Sequence, residues 1–141
     1  MTMVIRECDG EVAVHLRGAT SQHGFVTFGV EISGSGPRAE TYGVTADGTV
    51  GDLSHDLDAF VRQLAEGFRG WPGARSWSAL SGNLTVIAEH RPGGHVDLTW
   101  TIGSTCRQGA ARWNASVVIT VDAGEDMRHL AADLQAFLHS S

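Results

Sequence analysis

The densest run of side chains able to do chemistry lies between Glu89 and Asp97, where Glu89, His90, Arg91, His95 and Asp97 surround Pro92-Gly93-Gly94. Carboxylates and imidazoles this close could ligate a metal or move protons. Their spacing argues otherwise. Apolar and polar residues alternate on both sides of Arg91-Pro-Gly-Gly94, so the run reads as a hairpin, and opposed residues of a hairpin share a face. A type I turn with Pro92 at its second position and Gly94 left-handed satisfies that parity. It pairs Ala88 with Leu98, Val86 with Trp100 and Glu89 with Asp97, with Arg91 and His95 one pair further on. His90 and His95 then fall on opposite faces, which divides the would-be ligands, so no metal site is expected. Two carboxylates opposed across a sheet repel. The plainer reading is a pair that is solvated or bridged by Arg91. The functional reading is a surface of Glu89, Asp97, Arg91 and His95 kept for a cationic partner. Another pairing of the same parity sets Glu89 against His95 and removes the opposition.

Nothing else in the chain carries a catalytic signature. There is no His-x-x-x-His pair, no Cys-x-x-Cys, no Gly-rich loop joining strand to helix and no Gly-x-Ser-x-Gly elbow. No catalytic residue and no cofactor are expected.

The elements that must position the hairpin are organised around Phe68 to Leu84, FRGWPGARSWSALSGNL. A helix cannot run through Gly70-Trp-Pro-Gly73, so this stretch is expected to be a turn. Each indole buries on the order of 150–250 Å² when enclosed, so Phe68, Trp71 and Trp77 are expected to form a clamp tying a helix to a sheet. Arg69 and Arg75 flank Trp71 and are placed to stack on it. Trp100 and Trp113 read as core residues.

Alternation before and after this stretch marks strands with one buried face. The expected strands are Val4 to Cys8, Glu11 to Arg17, Phe25 to Ser33 and Ala39 to Val44, then Asn83 to His90, His95 to Ile102 and Trp113 to Asp122. A helix from about Ser54 to Arg69 carries Leu57, Phe60, Val61, Leu64 and Phe68 on one stripe, with Ser54 as N-cap and Asp56 and Asp58 in its first turn. Gly70 is its expected C′ glycine. Asp122 and Glu125 have the spacing of a capping box for a last helix reaching Leu138. The fold class is α+β: a mainly antiparallel sheet of about seven strands in the order ββββαβββα, with both helices on one face. One domain over residues 1–141 is expected.

The formal net charge is −6 and all 10 basic residues are arginine. That balance disfavours nucleic acid or an anionic membrane and suits a basic protein partner. No run has the length of a signal peptide or a membrane span, so a cytoplasmic location is expected. Cys8 and Cys106 then read as free thiols.

Phe68-Arg-Gly-Trp71, Trp77-Ser-Ala-Leu-Ser-Gly82, Gly94-His-Val-Asp-Leu98 and Glu125-Asp-Met127 resemble a family of small uncharacterised actinobacterial proteins. That family is similar in pattern to the WapI-type immunity proteins of polymorphic toxin systems. The resemblance spans roughly Leu57 to Leu138. It implies a non-catalytic cytoplasmic module that binds and neutralises a toxin domain, and an acidic surface suits a basic toxin. It carries over no catalytic residue. The rival reading is a small-molecule-binding protein or enzyme using the open sheet face or a pocket near the tryptophan clamp.

Overall fold

The structure is a computed structural model that describes residues 2–7, 10–22, 25–36, 38–47, 49–50, 53–54, 57–103 and 113–139. Strands β1 (Thr2–Arg6), β2 (Ala13–Gln22), β3 (Phe25–Ser33) and β4 (Arg38–Asp47) form an antiparallel meander. A short hairpin of β5 (Thr49–Val50) and β6 (Leu53–Ser54) leads into helix α1 (Leu57–Glu66). A second antiparallel meander follows, made of β7 (Ala74–Ser78), β8 (Leu84–Arg91), β9 (His95–Gly103) and β10 (Asn114–Asp122), and helix α2 (Glu125–Leu138) closes the chain. The antiparallel α+β class is as expected. The strands form two four-stranded sheets rather than one of about seven.

One hydrophobic core joins the inward residues of both sheets to both helices. Val14, Leu16, Phe28 and Val30 come from the first sheet, and Val86, Leu98, Trp100 and Ile119 from the second. Leu57, Val61 and Leu64 of α1 and Met127, Leu130, Leu134 and Phe137 of α2 complete it. Phe28 meets Phe137 edge to face at 5.6 Å, a favoured aromatic geometry. The bend before β8 covers the β4 edge: Leu80 N–H donates to the Thr45 carbonyl at 3.1 Å, and the Asn83 amide donates to the Tyr42 carbonyl at 2.9 Å. Covering an edge removes a row of unpaired groups that would template aggregation.

Several local expectations change. The stretch after Gly73 is a strand: β7 pairs with β8 from Ala74 opposite Glu89 to Ser78 opposite Thr85. Only Trp77 of its five residues is buried, so it leaves no two-residue period to read. α1 is shorter than Ser54 to Arg69, because Ser54 belongs to β6 opposite Thr49 and is not its N-cap. The chain turns out of the helix at Gly67, and Phe68 lies beyond it, 52% exposed rather than on the buried stripe. Gly70 does take the left-handed conformation, with φ +114°. α2 is capped two residues later than expected, at Gly124 rather than Asp122. The Asp122 carboxylate accepts Gly124 N–H at 2.6 Å, and Asp126, not Glu125, accepts Asp122 N–H at 3.1 Å. The reason is that Gly124 occupies the N-cap and places Asp126, not Glu125, in reach of Asp122. β1 is Thr2–Arg6, with Met3 and Ile5 buried. Trp113 precedes β10 and is exposed rather than inward. Cys8, Asp56 and Cys106 lie outside the described residues.

Candidate functional site

The β8–β9 register follows the hairpin expectation: Val86 faces Trp100, Ala88 faces Leu98, Glu89 faces Asp97 and Arg91 faces His95. The turn differs. Gly93 and Gly94 both have positive φ, +91° and +79°, whereas a type I turn needs negative φ at Gly93. With two glycines at the tip, left-handed backbone is available at both positions without a Cβ penalty.

Outward side chains of the second sheet line up in rows across all four strands. Ser116, Thr101, Thr85 and Ser78 form one row, and Val118, Thr99, Ile87 and Ser76 the next. Thr120, Asp97, Glu89 and Ala74 form a third, and Asp122, His95 and Arg91 the end nearest the turn. The face is thus hydroxyl and small aliphatic along most of its length and charged at one end.

In that charged end the acidic opposition is answered from within. Arg91 Nε donates to Asp97 Oδ2 at 2.8 Å, and its guanidinium lies 3.9 Å from the Glu89 carboxylate. Thr120 Oγ1 donates to the other Asp97 oxygen at 2.8 Å. The Thr120 hydroxyl, joined by Arg91 and opposed by partial burial, holds the Asp97 carboxyl below the usual carboxylate range. Glu89 and His95 stay open to solvent at this end of the face. Thr120 went unnoticed in the sequence because it is 23 residues from Asp97; only the β9–β10 register places it opposite.

His90 points to the other side of β8, as expected, and joins the clamp. Its ring meets Trp71 edge to face at 5.4 Å, and its Nε2 lies 3.3 Å from the Phe68 carbonyl. Trp71 Nε1 donates to the Ala88 carbonyl at 3.2 Å, and the Arg75 guanidinium lies 4.7 Å over the Trp71 ring. Trp71 and Trp77 are both buried. Arg69 does not stack on Trp71; it lies 5.6 Å over Phe68, whose ring stands in solvent because the helix has already ended. The clamp is therefore Trp71 and His90, with Arg75 as its lid and Phe68 outside it, while Trp77 is buried in the core opposite Val86.

A second charged cluster, also unnoticed in the sequence, lies on the outward side of the first sheet. Glu31 is buried yet holds Arg17 at 2.9 Å and Arg38 at 3.3 Å. Its sequence signal was alternation: Glu31 sits between inward Val30 and Ile32, opposite His15 and Glu40. Tyr42 lies against Gly29 on the same sheet, where a Cβ would come within 3.2 Å of its ring. A hydrogen bond to Glu40, more than its charge, raises the Tyr42 hydroxyl above its ordinary range.

Among the described residues, no group of three His, Cys, Asp or Glu side chains is placed to hold a metal. Open hollows of about 440 and 480 Å³ exist, the first lined by residues of both helices and Phe68, the second by β3, β4 and Leu80-Ser81, and neither includes the Glu89–Asp97 cluster. Among the described residues no helix is long and apolar enough to cross a membrane.

Fold and site together define an α+β protein built from two antiparallel meanders, each followed by a helix, with an open hydroxyl-rich face on the second sheet. The chain belongs to DUF6228, a family of unknown function whose sequence profile matches residues 5–141. No curated protein and no solved structure matches it.

Proposed function

We propose that this protein is a non-catalytic protein-binding module of the cytoplasm, and that the outward face of its second sheet docks a basic protein such as a toxin domain, in the manner of an immunity protein. The observation that carries the reading is that face. Its rows of Ser, Thr, Val and Ile side chains run across four strands, and Glu89, Arg91, His95 and Asp97 gather at one end. Short hydroxyl and aliphatic side chains lose little rotamer entropy on docking. The net charge of −6 favours fast, salt-sensitive encounter with a basic surface. Glu89, half-exposed beside a distant arginine, is the carboxylate most available to such a partner.

A photo-crosslinking residue placed at Thr99, in the middle of the face, tests the reading in native host cells, with the same residue at Arg128 on α2 as control. The expected result is a basic protein captured through Thr99 and not through Arg128. The purified pair should then associate more slowly when Glu89→Gln is introduced, with a flatter salt dependence. Equal capture at both positions, or none at Thr99, overturns it.

A further inference from the structure

Helices α1 and α2 pack side by side and leave a hollow of about 440 Å³ along their seam, lined by Arg62, Ala65, Glu66, Phe68, Arg128 and Ala131. Its walls are mostly apolar: two alanines keep it open, and the exposed ring of Phe68 lines it. Arg62 of α1 and Arg128 of α2 both line it. Among the described residues no carboxylate stands within ion-pair distance of Arg62 or Arg128, although the chain carries 16 acidic residues against 10 basic ones. By contrast Arg17 and Arg38 are committed to Glu31, and Arg91 to Glu89 and Asp97.

A smaller hollow of about 170 Å³ adjoins the first through Arg62 and Ala131 and ends at Asp58. One Asp58 oxygen lies 3.2 Å from His139, and the other is buried with no hydrogen-bond partner among the described residues. The Asp58 carboxylate therefore disfavours an anion in the smaller hollow, while Arg62 and Arg128 favour one in the larger.

We propose that this seam binds an amphipathic carboxylate, a small molecule with an apolar chain or ring and a single acid group. Its apolar body lies along Ala65, Ala131 and Phe68, and its carboxylate takes the paired donors of Arg62 and Arg128. A planar guanidinium fork matches a carboxylate better than an ammonium does. Glu66, which also lines the hollow, and the net charge of −6 disfavour polyanions far more than a single charge. The seam uses none of the residues of the sheet face, so this proposal and the protein-binding one stand or fall separately.

Decanoate below its micelle threshold is the probe, with decyltrimethylammonium as the charge-reversed control, read by amide chemical shifts of the full chain. Decanoate should shift Ala65, Phe68 and Ala131 saturably, and the cation should not. Arg62→Ala and Arg128→Ala should each weaken binding roughly three- to tenfold. Arg62→Lys should recover part of the loss because it keeps charge without the fork. Ala65→Leu fills the floor and should block decanoate with both arginines intact, while circular dichroism reports that each variant is folded. Equal binding of the cation, no saturable shift at these residues, or undiminished binding by the double arginine variant or by Ala65→Leu overturns the proposal.

Discussion

Trp71→Ala tests whether the clamp ties the end of α1 to the second sheet. The ring is 8% exposed, so nearly all of its surface leaves water on folding. An enclosed indole buries about 150–250 Å², and at about 25 cal/mol per Å² that is roughly 4–6 kcal/mol before relaxation. Alanine keeps the Cβ, and the pocket between His90 and Arg75 can partly close, so the expected loss is about 3–5 kcal/mol. Trp71→Phe keeps most of the ring burial but forfeits the indole donor to the Ala88 carbonyl, 3.2 Å away, for about 1–2 kcal/mol. Phe68→Ala, at a 52% exposed ring, should change stability by less than about 0.5 kcal/mol. Urea denaturation of the three variants at constant slope measures all of these. A Trp71→Ala loss below about 1 kcal/mol refutes the structural role, and a Phe68→Ala loss as large as that of Trp71→Ala refutes the boundary drawn for the clamp.

Gly70→Ala combines a backbone at φ +114° with a Cβ placed 3.1 Å from the His90 ring, so it should cost about 1–3 kcal/mol. Gly73→Ala, at φ +68° with open space around its Cβ, should cost less in the same denaturation series. Asp97 has a depressed folded-state pKa, so its contribution is fully present above the ordinary carboxylate value of about 3.9 and is lost as the pH falls through the depressed one. Thr120→Val should move the Asp97 titration upward, as followed by carboxyl NMR, and an unmoved titration would deny the hydroxyl its part. Asp97→Asn should destabilise the protein at neutral pH, because a carboxylate that accepts from both Arg91 and Thr120 is replaced. Relief of repulsion with Glu89 cannot offset this, since Arg91 already neutralises the opposition.

What the sequence made legible follows from period and parity. The register of the β8–β9 hairpin was readable because Leu84, Val86 and Ala88 and Val96, Leu98 and Trp100 each keep to one side of a two-residue period. The split of His90 from His95 follows from the same parity. β7 was hidden because one buried residue makes no period. The two-sheet division was equally hidden, since alternation says which face of a strand is buried and not which strand it joins. Phe68 was misplaced because helical spacing continues on paper past Glu66, while Gly67 and Gly70 end the helix in space. The Arg17–Glu31–Arg38 cluster and the Thr120–Asp97 bond depend on cross-strand neighbours 7 to 23 residues apart. No local pattern records those.

The arginines carry the last step. In a protein with no lysine, every basic side chain has the planar fork that suits carboxylates and aromatic faces. Arg75 and Arg69 use that plane on Trp71 and Phe68, and Arg17, Arg38 and Arg91 use the fork on Glu31, Asp97 and Glu89. These contacts hold the fold and leave the sheet face with Glu89 as its freest charge. Arg62 and Arg128 face the seam with no such contact among the described residues. The two proposals therefore predict opposite charge preference: a cation for the sheet face and an anion for the seam. Salt weakens both, so ionic strength alone cannot separate them. Charge reversal can. Glu89→Arg should impair only the basic partner, and Arg62→Glu only the amphipathic acid. A variant that moved both would contradict the separation of the two surfaces.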